Sequence, residues 1–109
     1  MHELAITEQI VSGVAERVEG QRVTRVVLEI GRLSGVVPDA VRFCFDLCAE
    51  GTPLAGAALD IVEPVGHARC RACGTEGEVD DPLALCACGS ADLDVQGGRQ
   101  LRISAVEVV

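Results

Sequence analysis

The sequence predicts an α+β fold: two helices packed on a three-stranded sheet, with a small cysteine-bearing module inserted before the last strand. Three observations lead there. Apolar residues recur at three- and four-residue steps in two segments of the first half. They alternate with polar residues, or run β-rich, in three others. Between residues 64 and 98 both patterns lapse, and cysteine, glycine and acidic residues take over.

The first helix is predicted from Leu4 to Val18. Leu4, Thr7, Ile10, Val11, Val14 and Val18 form a stripe, with Glu8, Glu16, Arg17 and Glu19 on the wet side and Gly20 as a stop. RVTRVVLEIG follows as a strand in which Val26, Leu28 and Ile30 alternate with Arg25, Val27 and Glu29. Gly31 to Val37 is expected to be a loop. Pro38 and Asp39 then open a second helix, AVRFCFDLCAE, closed by Gly51. Residues 57–63 and 100–108 supply the remaining strands. Residues 1–63 plus 99–109 are thus expected to form one domain, and 64–98 a second.

Composition narrows the function. The 109 residues carry a net charge of −8, with nine basic residues, all arginine, against seventeen acids. Phe43 and Phe45 are the only aromatics. An acidic chain without stacking rings is poorly suited to nucleic acid. No signal-like leader and no apolar run of membrane-spanning length is evident, so the expected location is cytoplasmic, with no membrane partner. In that compartment cysteines serve as metal ligands more often than as disulfides.

Residues 70–90 read CRACGTEGEVDDPLALCACGS. Cys70 and Cys73 stand two residues apart with Gly74 behind them, a zinc-knuckle spacing; Cys86 and Cys88, followed by Gly89, repeat it with one spacer fewer. A segment so poor in apolar residues needs a staple. Four thiolates suit a closed, tetrahedral, structural zinc(II) site in a zinc-ribbon-like domain. The short second chelate leaves room for His67, three residues before Cys70, to replace one thiolate. Two disulfides, four unrelated thiols, or a thiol-redox use of Cys70 and Cys73 are the rival readings. Cys44 and Cys48, four apart on the second helix, are expected to pack as small hydrophobes.

The chain opens MHEL. An α-amine titrates near ~8 and yields its proton to a metal at neutral pH. With deprotonated amide nitrogens and the His2 imidazole it makes a planar nitrogen set, which Ni(II) and Cu(II) prefer and zinc does not. The bland alternative is a frayed helix start, with Glu3 placed favourably for the helix dipole.

The whole chain also resembles the HypA/HybF family, nickel metallochaperones of [NiFe]-hydrogenase maturation that some organisms also use for urease. The resemblance is carried by Met1-His2-Glu3, by Glu29-Ile30-Gly31 followed by Ser34, and by Phe43-Cys44-Phe45. Further on, Gly51-Thr52 with Gly56-Ala57, the cysteine pairs ending Cys88-Gly89-Ser90, and the closing strand with Glu107 continue it. It implies a nickel site at Met1, His2 and Glu3, and a zinc site at Cys70, Cys73, Cys86 and Cys88. The family's second cysteine pair usually has two spacer residues; this chain has one. As partners it implies the GTPase HypB and the hydrogenase large-subunit precursor, with nickel as transient cargo and no enzymatic activity; the chain itself is expected to be a monomer or homodimer. The alternative is a zinc-stabilised protein-interaction adaptor without nickel cargo.

Overall fold

The structure, a computed structural model, describes residues 2–109. Its elements run α1 (His2–Val18), β1 (Val23–Ile30), α2 (Pro38–Ala49), β2 (Ala58–Val62), β3 (Gly66–Cys70), β4 (Glu76–Val79), β5 (Leu93–Gln96) and β6 (Leu101–Val108). The α+β class holds: two helices and two small sheets, ordered β2-β1-β6 and β4-β3-β5. The chain divides into two compact units. One comprises the residues up to Glu29, Val36–Val62 and Arg102–Val109; the other comprises Ile30–Gly35 and Glu63–Leu101. The segment 30–35 therefore groups with the second unit, where the sequence boundaries had kept it in the first.

In the first unit β1 and β2 run parallel, with Val26 opposite Leu59 and Leu28 opposite Ile61. A parallel pair needs a crossover, and α2 supplies it. β6 runs the other way along β1: Thr24 Oγ1 donates to the Glu107 carbonyl at 3.2 Å, and Arg102 reaches Glu29 at 3.1 Å. The core joins Val11, Val14 and Val18 of α1 to Val23 and Val26 of β1, Phe45 and Ala49 of α2, and Leu54 and Ala57 beyond it. The expected stripe of α1 is thus buried along its middle and end. Thr7 is fully buried, its hydroxyl donating to the Glu3 carbonyl at 2.6 Å in the preceding turn. Leu4 departs from the stripe and stays exposed.

The second unit is more ordered than its sequence pattern predicted. β3 pairs antiparallel with β4 on one side and β5 on the other, Ala68 facing Gly77 and Val95. These strands are short and polar, so their register rests on backbone hydrogen bonds and turns more than on burial. Ala68, Cys70 and Val79 are the buried hydrophobic residues within those strands. At the root of the unit three chain segments cross closely. Leu33 N–H donates to Gly98 O at 2.6 Å, Arg32 N–H to Pro64 O at 2.9 Å and Gly31 N–H to Gln100 O at 2.7 Å. Only glycine fits there: a Cβ on Gly98, whose φ is +81°, would lie 2.6 Å from Gly66 N.

Candidate metal centres

The four cysteines of the second unit converge. Cys70 Sγ lies 3.7 Å from Cys88 Sγ and Cys73 Sγ 3.5 Å from Cys86 Sγ, and all four sulfurs fall within 4.8 Å of one another. A tetrahedron of thiolates about 2.3 Å from a central ion has edges of about 3.8 Å, so the sulfur spacing fits such an ion. None of the six cysteines is in a disulfide.

Local hydrogen bonds explain how unequal spacers give matching arms. In the first arm Gly74 N–H donates to Cys70 O at 2.8 Å, and Cys70 N–H to Thr75 O at 2.8 Å. In the second, Gly89 N–H donates to Cys86 O at 2.8 Å, and Cys86 N–H to Ser90 O at 2.9 Å. Each bond of the second arm closes one residue sooner. Both arms still place a cysteine immediately before a glycine of left-handed φ, +82° at Gly74 and +92° at Gly89. The shorter spacer therefore tightens the turn without removing a ligand. His67 does not join the cluster; it sits on β3 with Nε2 3.5 Å from a Glu76 carboxylate oxygen, so the four thiols alone form the group.

The surroundings favour ionised sulfur on one side of the cluster. Cys73 Sγ lies 3.2 Å from Thr75 Oγ1, and this hydroxyl, with the Thr75 N–H, lowers the Cys73 thiol to about 6. The Cys73 and Ala72 N–H groups lower Cys70 against the burial that raises it. Cys86 goes the other way. The Cys88 N–H lowers it, but the neighbouring thiols of Cys73, Cys88 and Cys70 outweigh this and push it up to about 12. Four sulfurs this close cannot all hold negative charge without a cation. A metal ion held by Cys70, Cys73, Cys86 and Cys88 would supply that charge and displace the remaining protons.

Arg71 ties the first arm to β5. Its N–H donates to Asp92 O at 3.0 Å, and its guanidinium meets Asp92 at 2.9 Å and Asp94 at 3.6 Å. Arg71, Thr75 and Ser90 were not singled out from the sequence. The signal was there in the parallel Cys-Gly-Thr and Cys-Gly-Ser triplets at 73–75 and 88–90.

At the other end of the chain, Met1 lies outside the described residues. His2 opens α1 and is exposed. Glu3, one position on, does not point free into solvent: Glu3 Oε2 accepts the Val37 N–H at 3.2 Å. Val37 is the N-cap of α2 and makes no side-chain cap bond, so Glu3 joins the starts of both helices. That bond holds the Glu3 carboxyl below the ordinary carboxylate value. Cys44 and Cys48 are half-buried, Cys48 packing against the core cluster.

Comparison with known proteins adds to this geometry. A family model described as hydrogenase/urease nickel incorporation, metallochaperone, hypA matches residues 1–108. The chain is 52% identical over 108 residues to the hydrogenase maturation factor HypA of Nostoc sp., covering 99% of this chain and 96% of that one. It is 45% identical over 109 residues to the protein of the same name from Geotalea uraniireducens, covering 99% of each. Among solved structures, the solution structure of the Ni metallochaperone HypA from Helicobacter pylori superposes with a TM-score of 0.62 at 20% identity, covering 98% of this chain and 97% of that one. At that identity the likeness bears on the fold alone.

Proposed function

Because the chain belongs to the HypA family of hydrogenase/urease nickel-incorporation metallochaperones, and so is a maturation factor and not an enzyme, we propose that it binds Ni(II) through Met1, His2 and Glu3 and delivers it to the [NiFe]-hydrogenase large-subunit precursor, working beside the GTPase HypB. Residues 1–63 plus 99–109 form the nickel domain in this reading. The observation that carries it is the exposed His2 on the first turn of α1.

A helix leaves its first four N–H groups without intrahelical acceptors, so the amides of His2 and Glu3 are free to lose their protons to a metal. The positive end of the helix dipole stabilises the amide anions that result. Nitrogen from imidazole and amides makes the planar field that Ni(II) takes. Glu3 contributes through its backbone, while its carboxylate, held on Val37 N–H, steadies the first turn. Affinity falls with pH because each donor must be proton-free to bind. A terminal site also lets an acceptor replace ligands one at a time.

Residues 64–98, within the second unit, form the zinc domain of this reading and hold structural zinc at Cys70, Cys73, Cys86 and Cys88. Four sulfurs fill the tetrahedron and leave no open position for water or substrate, so the ion shapes the unit and does no chemistry. Among the described residues no helix is long and apolar enough to cross a membrane; the proposed setting is the cytoplasm.

The test is a Ni(II) titration of zinc-loaded protein with Met1 as its native first residue, beside His2→Ala and a chain extended by one N-terminal residue. The expected result is one nickel with a planar-type visible spectrum for the native chain and loss of it in both variants. Equal binding by all three would place the nickel elsewhere and return the protein to the adaptor reading.

A further inference from the structure

Of the chain's two phenylalanines, Phe45 is buried in the core and Phe43 is 74% exposed. One turn further along α2, Leu47 is 59% exposed, and across on α1 Leu4 is 41% exposed. Single apolar side chains in solvent need no explanation, but an aromatic with aliphatic neighbours at helical spacing does. Beside them lies an open groove of about 520 Å³ whose apolar lining is Leu4, Val11, Ala15, Leu47 and Cys48, with Glu8 and the hydroxyl residues Ser12 and Thr52 between them. From Leu4 to Ala15 the groove follows α1 for about 17 Å, three turns of helix.

Its α2 border is acidic. Asp39, Asp46 and Glu50 line the outer side of α2, and Glu8 stands in the groove itself. Arg42, the basic residue of α2, is engaged with Asp39 at 3.8 Å. Among the described residues, Glu8, Asp46 and Glu50 have no ion-pair partner.

We propose that this groove between α1 and α2 is a docking site for a basic amphipathic helix of a partner protein. The length of the groove suits apolar anchors at i, i+4, i+7 and i+11 of a helix, with exposed Phe43 beside the groove and Leu47 on its edge as the contact ridge. Aromatic side chains are the usual anchors of such contacts. The carboxylates of Glu8 in the groove and of Asp46 and Glu50 along α2 select lysine and arginine flanks and speed the encounter. A second copy of this chain is the wrong occupant, because two acidic borders would face each other. The groove starts at Leu4, directly after the proposed nickel residues, so a helix seated in it lies beside the metal end. That purpose rests on the nickel reading; the surface itself does not.

The test uses zinc-loaded protein and a synthetic helical peptide of about seventeen residues with leucine at the four anchor positions and lysine or arginine flanks. A twin peptide carries glutamate in place of every basic residue. Binding is followed by amide chemical shifts and by fluorescence anisotropy. The basic peptide should bind, shift amides in Leu4–Ala15 and Asp39–Thr52, and weaken with salt. Phe43→Ser with Leu47→Ser should weaken it at least about tenfold. Both changes lie on exposed positions; Asp46→Lys with Glu50→Lys is a second variant that leaves the apolar residues intact and should weaken it too. Both variants should still titrate with Ni(II) as the parent does, which separates this result from the fate of the nickel site. Equal binding of the acidic twin, no binding of the basic one, unchanged binding by both variants, or self-association abolished by the Phe43 and Leu47 changes would each overturn the proposal.

Discussion

Replacing Gly98 by alanine tests how tightly the root of the second unit is closed. The residue sits at φ +81°, where a side chain costs about 1–2 kcal/mol. Its new Cβ would lie 2.6 Å from Gly66 N, 2.8 Å from Gly66 Cα and 3.0 Å from Leu33 Cδ1. Ordinary carbon contacts lie near about 3.5–4.0 Å, so the backbones must part by roughly 1 Å. Overpacking of this kind costs about 1–3 kcal/mol. Parting them also strains the Leu33 N–H bond to Gly98 O, worth about 1 kcal/mol. The sum, about 3–6 kcal/mol, is a large share of the roughly 5–15 kcal/mol that stabilises a typical domain. Gly77→Ala is the matched control. It lies on β4 of the same unit, its added Cβ meets nothing within 4 Å, and it has no left-handed φ; it should be neutral or gain up to about 1 kcal/mol. Urea unfolding and the rate of zinc transfer to a competing chelator should both move sharply for Gly98→Ala and little for Gly77→Ala. If Gly98→Ala kept the parental midpoint and zinc-release rate, the close crossing would be wrong.

Three further outcomes follow from the same structure. In metal-free protein, Cys73 should be the first thiol to ionise, so its alkylation, followed by mass spectrometry, should rise through about pH 6, while Cys86 stays protonated and slow until about pH 12. Bound zinc should abolish both reactions; equal rates at all four cysteines without metal would refute the asymmetry. Because the folded Glu3 carboxyl is depressed below its ordinary 4.5, its contribution is present above that value and lost as pH falls through the lower folded value. The Val37 amide resonance should report a midpoint below 4.5, and Glu3→Gln should remove that titration. Phe45→Ala should cost about 3–5 kcal/mol in urea unfolding because Phe45 is buried in the core, whereas Phe43→Ala should stay within about 0.5 kcal/mol.

The helices and the cysteine cluster were legible because each depends on local spacing. Val11, Val14 and Val18 repeat at the helical period, Pro38 marks the start of α2, and the cysteine pairs carry their glycines with them. Contacts between distant residues were not legible. GHARC and LDVQ do alternate, but over only five and four residues with few large apolar side chains, and EGEV is exposed along most of its length, so the three strands were too short and too polar to stand out. The grouping of residues 30–35 with the second unit depends on backbone bonds to Pro64, Gly98 and Gln100, which no side-chain pattern announces. The exposure of Leu4 and Phe43 was hidden for a related reason: hydrophobicity marks a residue as fit for burial without saying against what. Glu3 read as a plain ligand or dipole partner, and its bond to Val37, thirty-four positions away, had no trace in the sequence.

The strand order β2-β1-β6 also fixes a timetable for synthesis. β1 lies in the middle of its sheet, yet one neighbour, β6, comes after every other described strand in chain order. The stretch between Val62 and Leu101 takes a few seconds to emerge at about 5–20 residues per second. Throughout that interval the nascent chain carries two helices over a half-finished sheet, while the cysteine pairs leave the ribosome one after the other. A metal ion can therefore be captured by the cysteines before the helical unit is closed, and a ribosome that stalls ahead of Leu101 would release a chain with its thiols in place and the edge of β1 bare.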